Sequence, residues 1–442
     1  MRNTHRLSLA LVTALLSLGL VAADAATTAT VSKPKVEVRR GPDFKTPAVA
    51  TLAKDASVTI AGQQGLWFKV LTADGKTGYL RVNDVRMAYA KAETAATGKA
   101  LFTGKAGKGR VSETASVRGL DESDLKSAGF DAAQLQQMES YRASVEEAEA
   151  AAKKRRWAIT DVAFATEFRP GDPASQPQAT QEQKRQRFGI ARNLLSMVKP
   201  DLADAADGGD QLIGKSEQEI TDQELELGPL IAGRVLGAAP LIADPAAQRR
   251  VNLIGRWLAS RTSRPDLPWT FGIIDSDEVN AFAAPGGYVL ITRGLYQLLA
   301  DDAEVAAVLG HELSHVVQRD HYDVVRKQET QGALGKMGMK RVKAGGMAGS
   351  LARDYVAKHG AAVMMTKLDR DAEFRADEAA GIYLARGGSN PLALYSVLQK
   401  MTALGASSPK LAQLYRTHPS LDTRMDRIDQ RGYAGLETYT RR

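Results

Sequence analysis

His311 and His315 stand four residues apart with Glu312 beside the first, in the run His311-Glu-Leu-Ser-His315. On a helix that spacing stacks both imidazoles on one face, close enough to grip a single metal ion. Glu312, one step round, can reach a water there without being a ligand itself. The chemistry such a set performs is metal-assisted hydrolysis, with the carboxylate as general base. A catalytic metal of this kind takes a third protein donor and keeps one position open. The chain has no cysteine, so that donor comes from His321, His359, His418 or a carboxylate.

The elements that must position these groups can be read around them. Asp302 to Val317 forms a buried amphipathic helix pattern, with Asp301 or Asp302 as its N-cap. A second helical stretch, from Leu368 to Ala380, sets Glu373 and Asp377 at i, i+4, and Arg370 at i−3 joins their face. Alanines at 372, 376, 379 and 380 allow close approach of another helix. Two readings fit this stretch. Glu373 is a ligand and Asp377 accepts the free N–H of a ligating histidine, or the helix simply carries a solvated acidic face. Arg370 lies behind the ligands, faces substrate, or makes a surface ion pair. His321, off the ligand face, closes the first helix, and His359 sits at a Lys-His-Gly helix end; neither reads as a ligand. Asn280, Ala281, Phe282 and Ala283 precede Pro285-Gly286-Gly287, a strand ended by a turn. Such a strand pairs with extended substrate or shapes the core as a hairpin.

His311-Glu-Leu-Ser-His315 followed by Arg370-x-x-Glu373-x-x-Ala376-Asp377 resembles the zinc metallopeptidases typified by HtpX and the CAAX prenyl proteases, in their soluble periplasmic branch. Three further stretches are similar to the same family: Asp275 to Leu290, Thr292-Arg-Gly-Leu295, and Thr417-His418-Pro419. The likeness spans about residues 216–432 and implies one Zn2+ per chain on His311, His315 and Glu373. It further implies Glu312 as general base, Asp377 orienting a ligand histidine, and His418 stabilising the oxyanion. Asn280 to Ala283 then correspond to the family's edge strand. Two positions depart from the pattern, Asp369 and Asp320, and neither is expected to touch a ligand. Some periplasmic relatives carry tetratricopeptide repeats after the peptidase; here the chain stops at Arg442, and the docking those repeats provide is not expected.

The remaining segments carry less chemistry. Arg2, His5 and Arg6 precede an apolar run ending at Ala23-Asp24-Ala25, which reads as a signal peptide over 1–25 cleaved near Ala25, with a retained anchor as the other reading. An exported, periplasmic chain without cysteine gains its stability from core burial. Residues 30–90 resemble a bacterial SH3-like barrel: Val36-Glu-Val, Val58-Thr-Ile60, Trp67-Phe-Lys-Val70 and Thr77-Gly-Tyr-Leu80 read as short strands, and Asp74-Gly75 as a tight turn. Such modules bind cell-wall peptides or proline-bearing segments, and a structural or autoinhibitory role fits as well. Residues 91–215 form a linker and helical connecting region, in which 131–157 reads as one long alanine-rich helix. Residues 327–366 mix methionines, lysines and glycines, which suits either a mobile lid or a helical hairpin packed on the core.

The expected fold class is α+β: a mostly helical zincin-type peptidase domain with a small sheet over 216–435, behind the all-β barrel. The expected function is zinc-dependent endopeptidase action on unfolded or misassembled envelope proteins. The alternatives are a non-proteolytic periplasmic chaperone or scaffold with a gated zinc site, and a cell-wall peptide hydrolase. The net charge is +8, and +7 without residues 1–25, which hold Arg2, Arg6 and Asp24. That surplus favours peripheral contact with anionic membrane or wall surfaces, and no nucleic-acid partner is expected.

Overall fold

The structure, a computed structural model, describes residues 27–89, 120, 122–169, 217–327, 356–432 and 435–441. The expected signal peptide and most of the expected linker and lid segments lie outside them.

Seven strands build the N-terminal barrel: β1 (Thr27–Val31), β2 (Lys35–Arg39), β3 (Ala48–Ala53), β4 (Ser57–Gln64), β5 (Trp67–Thr72), β6 (Thr77–Arg81) and β7 (Val85–Met87). They are ordered β3-β2-β6-β5-β4-β1-β7, and every pairing is antiparallel. Alternation decides which side of each strand is buried: Val36 and Val38, Val58 and Ile60, and Phe68 and Val70 all point inward. Trp67 is only half-buried and meets Phe44 edge-on, with ring centroids 5.0 Å apart. The Asp74-Gly75 turn is present, and Gly75 takes φ 81°, which favours glycine.

The expected single helix over 131–157 is two. After a short α1 (Glu122–Ser127), α2 (Ala132–Ser140) stops at Tyr141, and α3 (Val145–Lys154) restarts at Ser144. The Ser144 side chain accepts from the Glu147 N–H, and the Glu147 carboxylate accepts from the Ser144 N–H. That reciprocal cap defines a helix start, which outweighs the continuous alanine-rich pattern.

The C-terminal region combines α4 (Glu217–Ala238) and α5 (Pro245–Ala259) with a three-stranded sheet. Its strands are β8 (Thr270–Ile274), β9 (Ala281–Ala284) and β10 (Tyr288–Thr292), in the order β8-β10-β9. β8 runs parallel to β10, while β9 is antiparallel to it and lies at the edge. The β9–β10 turn needs its glycines: Gly286 has φ 74°, and a Cβ there would meet the Glu224 carbonyl oxygen at 2.6 Å. The short α6 (Arg293–Tyr296) leads to α7 (Asp302–Val317), and the chain is helical again over 320–327. Beyond Gly360–Met365, a 3-10 turn, come α8 (Arg370–Arg386), α9 (Leu392–Thr402), α10 (Ala412–Thr417) and α11 (Leu421–Arg427). Helix α7 packs against α8 through small residues: a Cβ on Gly310 would meet the Ala380 Cα at 3.4 Å, and Ala376, Ala379 and Ala380 are fully buried. This close approach carries the α7 histidines to the α8 carboxylates. Among the described residues no helix is long and apolar enough to cross a membrane.

Candidate metal centre

Helix α7 begins where its sequence places it. The Asp301 carboxylate caps the Glu304 N–H, while Asp302 is occupied by Arg155 and Arg250. Over its length both imidazoles share one face, as the i, i+4 spacing requires. The His311 and His315 Nε2 atoms are 3.3 Å apart. Glu373, in the first turn of α8, brings its carboxylate to 3.6 Å from the His311 Nε2 and 3.9 Å from the His315 Nε2. Donor atoms of these three buried residues all lie within 4.8 Å of one another, and among the described residues they are the group placed to hold a metal ion.

The far side of each ring is tied down. His311 Nδ1 is 3.0 Å from Asp377 Oδ1, and Arg424 from α11 grips the same carboxylate with Nη2 at 2.5 Å and Nε at 2.9 Å. The Nδ1 proton goes to Asp377, so the 3.3 Å approach of Arg424 Nη2 to that nitrogen reflects a shared oxygen, not a bond to the ring. His315 Nδ1 lies 2.9 Å from Asp320 Oδ2, and Arg375 Nη2 is 2.7 Å from Asp320 Oδ1. With both Nδ1–H groups donating to carboxylates, the Nε2 atoms are the ones turned toward Glu373 and toward each other. This tautomer arrangement suits metal ligation.

Electrostatics favour positive charge here. Burial and Arg424 press the His311 ring toward neutrality, yet hydrogen bonds to Asp377 and Glu373 outweigh them and raise its pKa to about 9. Burial works against the Asp377 charge, but Arg424 and His311 hold its pKa near about 2. Glu373 is driven well below the usual carboxylate range against its own burial, by His418 and His311. Ionised carboxylates against buried rings meet the need of a cation that borrows the Nε2 lone pairs. The donor set therefore fits a metal ion.

The other expected site residues are placed as follows. Glu312 is 5% exposed and lines two small clefts, one reaching His311 and the other His315 and Glu373. His418 lines both clefts too, and its Nδ1 sits 2.5 Å from Glu373 Oε2, so it touches the carboxylate as well as facing the cleft. Asn280 and Ala281 line both clefts, and Phe282 lines the second. Ala283 does not: it shares the β9 face of Ala281 but lies two residues further along, where it is 1% exposed and sits in the hydrophobic core. Arg370 is exposed in the first turn of α8, and the arginine placed behind the centre, against Asp377, is Arg424. Asp320 also departs from expectation, since it contacts His315, a candidate ligand, directly. His321 is buried near His315, with ring centroids 5.8 Å apart, and lies outside the donor cluster. Burial and the neighbouring His315 lower the His321 pKa to about 3, which keeps the ring neutral. His359 is half-buried at the start of the Gly360–Met365 turn.

Asp320 reaches His315 because the chain reverses after α7. Arg319 has φ 64°, a left-handed conformation that costs a non-glycine residue about 1 kcal/mol. Buried Glu224 of α4 accepts from the Arg319 Nε at 2.9 Å, and Glu217 from its Nη1 at 2.7 Å, which holds that conformation in place. Arg264 adds a bidentate pair to Glu224 and donates to the Val316 carbonyl at 2.9 Å, fixing the end of the helix. No motif announced Glu224, Arg264 or Arg424; each meets the centre from a distant part of the chain.

A helix pair bearing a His-His-Glu donor set, beside the edge strand of a small mixed sheet, defines a metallopeptidase-type domain. Residues 245–432 match Peptidase family M48 and residues 34–85 match the bacterial SH3 domain, so the chain carries an M48 peptidase domain behind an SH3 domain. It is 29% identical over 247 residues to the beta-barrel assembly-enhancing protease of Escherichia coli (strain K12), a match covering 53% of this chain and 49% of that one. It is 28% identical over 166 residues to the metalloprotease LoiP of the same organism, covering 37% and 63%. A protease HtpX homolog of Sulfurovum sp. is 28% identical over 225 residues, covering 42% and 78%. The chain thus spans about half the length of the beta-barrel assembly-enhancing proteases it matches.

Proposed function

We propose that this protein is a zinc-dependent endopeptidase of the bacterial envelope, with its peptidase domain over 216–435. The observation that carries the reading is the convergence of His311, His315 and Glu373, with Glu312 beside them on a cleft. The two Nε2 atoms are 3.3 Å apart and one donor atom from each of the three residues lies within 4.8 Å of the others, a cluster that suits zinc, whose tetrahedral ligands at about 2.0–2.2 Å lie about 3.4 Å apart. Zinc held there supplies Lewis acidity to the attacking water and the scissile carbonyl. Glu312 takes the proton of that water and hands it to the leaving amine. His418, which lines the cleft, is the candidate donor to the developing oxyanion. Asn280 and Ala281 lie where an extended peptide would add to the β9 edge, which gives main-chain binding with little sequence demand.

Export through a signal peptide over 1–25 and residence in the periplasm belong to the same reading. A similar protein named for enhancing beta-barrel assembly supports unfolded or misassembled envelope proteins as substrates. The scaffold reading draws support from one feature: the clefts beside Glu312 are narrow, at about 30 and about 20 Å³. Casein cleavage decides between the two. The purified mature protein is expected to cut casein, and a chelator abolishes the cutting. Glu312→Gln keeps its zinc and loses about 100-fold or more in turnover, because the base goes and the ligands stay. Glu373→Ala loses the metal. Equal zinc in wild type and Glu373→Ala would refute the third ligand, and an inert wild type would leave the scaffold.

A further inference from the structure

The barrel and the metal centre share a wall, helix α9. Leu394, Val397, Leu398 and Met401, at i, i+3, i+4 and i+7, line the apolar cleft beside Glu312 and His418. The opposite side of the same helix faces the barrel. There the Gln399 amide is fully buried: its Nε2 donates to the carbonyls of Val82 (3.2 Å) and Val85 (2.5 Å), and its Oε1 accepts from the Met87 N–H (3.0 Å). These groups belong to β7 and the residues leading into it, and β7 is an edge strand, so a side chain of the peptidase domain closes that edge. Arg86 lies over the Tyr395 ring at 5.0 Å and pairs with Asp426 and Asp429.

A third side of α9 relays the barrel to the metal-bearing helix. Gln63 Nε2 donates to Ser396 Oγ at 2.9 Å, and Ser396 Oγ donates to Glu304 Oε1 at 2.7 Å. Glu304, in the first turn of α7, also holds buried Lys400 at 2.5 Å. Every polar side chain on this path is buried or half-buried, so its bonds are not exchanged with water at little cost.

The cleft volume turns this packing into selectivity. The unfilled space is small, about 30 Å³, in a cleft that opens to solvent. A bulky substrate side chain seats there fully only if α9 or its side chains give way, and the barrel limits how far the helix can yield. We infer that the SH3-like barrel is a fixed part of the peptidase, and that its grip on α9 sets the size of the apolar substrate side chain accepted beside the scissile bond. This rests on the peptidase reading above. It assigns the barrel a positioning role at the substrate pocket, carried by Gln399, Arg86 and Gln63.

The test is cleavage-site profiling of denatured casein by mass spectrometry, with wild type, Gln399→Leu and Arg86→Ala as full mature chains. In wild type one position adjoining the cut bonds is expected to be enriched in Leu, Met and Val. In either variant Phe and Tyr at that position rise at least threefold, with zinc per chain unchanged. Hydrogen exchange of the α9 amides, which needs no turnover, accelerates at least tenfold in both. If Gln399→Leu fails to fold, Arg86→Ala and Gln63→Ala read the same interface through its other contacts, to Tyr395 and Ser396. A wild-type cleavage profile or wild-type α9 exchange in active, folded variants overturns the inference. A wild type that cuts nothing sinks the peptidase reading, and the selectivity with it, while the exchange data still report whether the barrel holds α9.

Discussion

Behind His311 stands Asp377 and behind that Arg424; behind His315 stands Asp320 and behind that Arg375. The order of groups is the same on both flanks of the centre, imidazole to carboxylate to guanidinium, but the depth differs. Asp377 and Arg424 have side chains 2% and 4% exposed, whereas Arg375 is 32% exposed behind Asp320 at 8%. A guanidinium in water keeps its hydration if its partner leaves, and a buried one does not. The His311 flank is therefore part of the core to its outer end, while the His315 flank ends in an arginine that reaches solvent. Orientation of a ligand ring needs only the carboxylate; the deep arginine adds a stability role.

The largest effect should come from breaking the deep flank. Asp377→Ala leaves the Arg424 charge buried without its bidentate partner, at a cost of about 3–5 kcal/mol in folding. It also frees the His311 ring, which should weaken zinc binding about 10–100-fold. Urea denaturation and chelator competition measure the two separately. Should Asp377→Ala unfold at the wild-type urea midpoint, the flank is not built into the core and the contrast fails.

Asp320→Ala comes next. It frees the His315 ring, so zinc affinity should again drop about tenfold or more. Arg375 can turn to solvent, so the folding cost should stay near about 1 kcal/mol. The signature that separates the flanks is this split, in which metal affinity falls on both sides and stability on one. A stability loss equal to that of Asp377→Ala would show that the two are the same after all.

The flanks also differ in how far they could be read from the chain. Asp377 sits at i+4 from Glu373 on one helix, and helical spacing alone puts it beside the centre. Asp320 is five residues from His315, yet its contact depends on a reversal at Arg319, a non-glycine residue at positive φ. No Gly or Asn marks that turn. It is held by Glu217 and Glu224, about a hundred residues upstream, and pairings at that range leave no local pattern. Arg424 is hidden for the same reason, 47 residues beyond Asp377. The barrel strands were legible because alternation is local, whereas the Gln399 contact that docks the barrel was not, since a lone glutamine carries no period. The break between α2 and α3 lies between these cases. Ser144-Val-Glu-Glu147 is a readable helix start, hidden by alanines that favour helix on either side of it.

The smallest effect sharpens the comparison most. Arg375→Ala removes a charge that is a third exposed, so stability should change by less than about 1 kcal/mol. Asp320 keeps its bond to His315, and zinc affinity should move less than about threefold. Arg424→Ala, the corresponding change on the other flank, strands Asp377 in the core with only the His311 ring against it, and should cost several kcal/mol, roughly 3–5. Measured side by side, the two arginine variants remove the same group at different depth, bidentate on one flank and singly bonded on the other. Equal losses would mean that proximity to the metal, and not depth, sets what each arginine contributes.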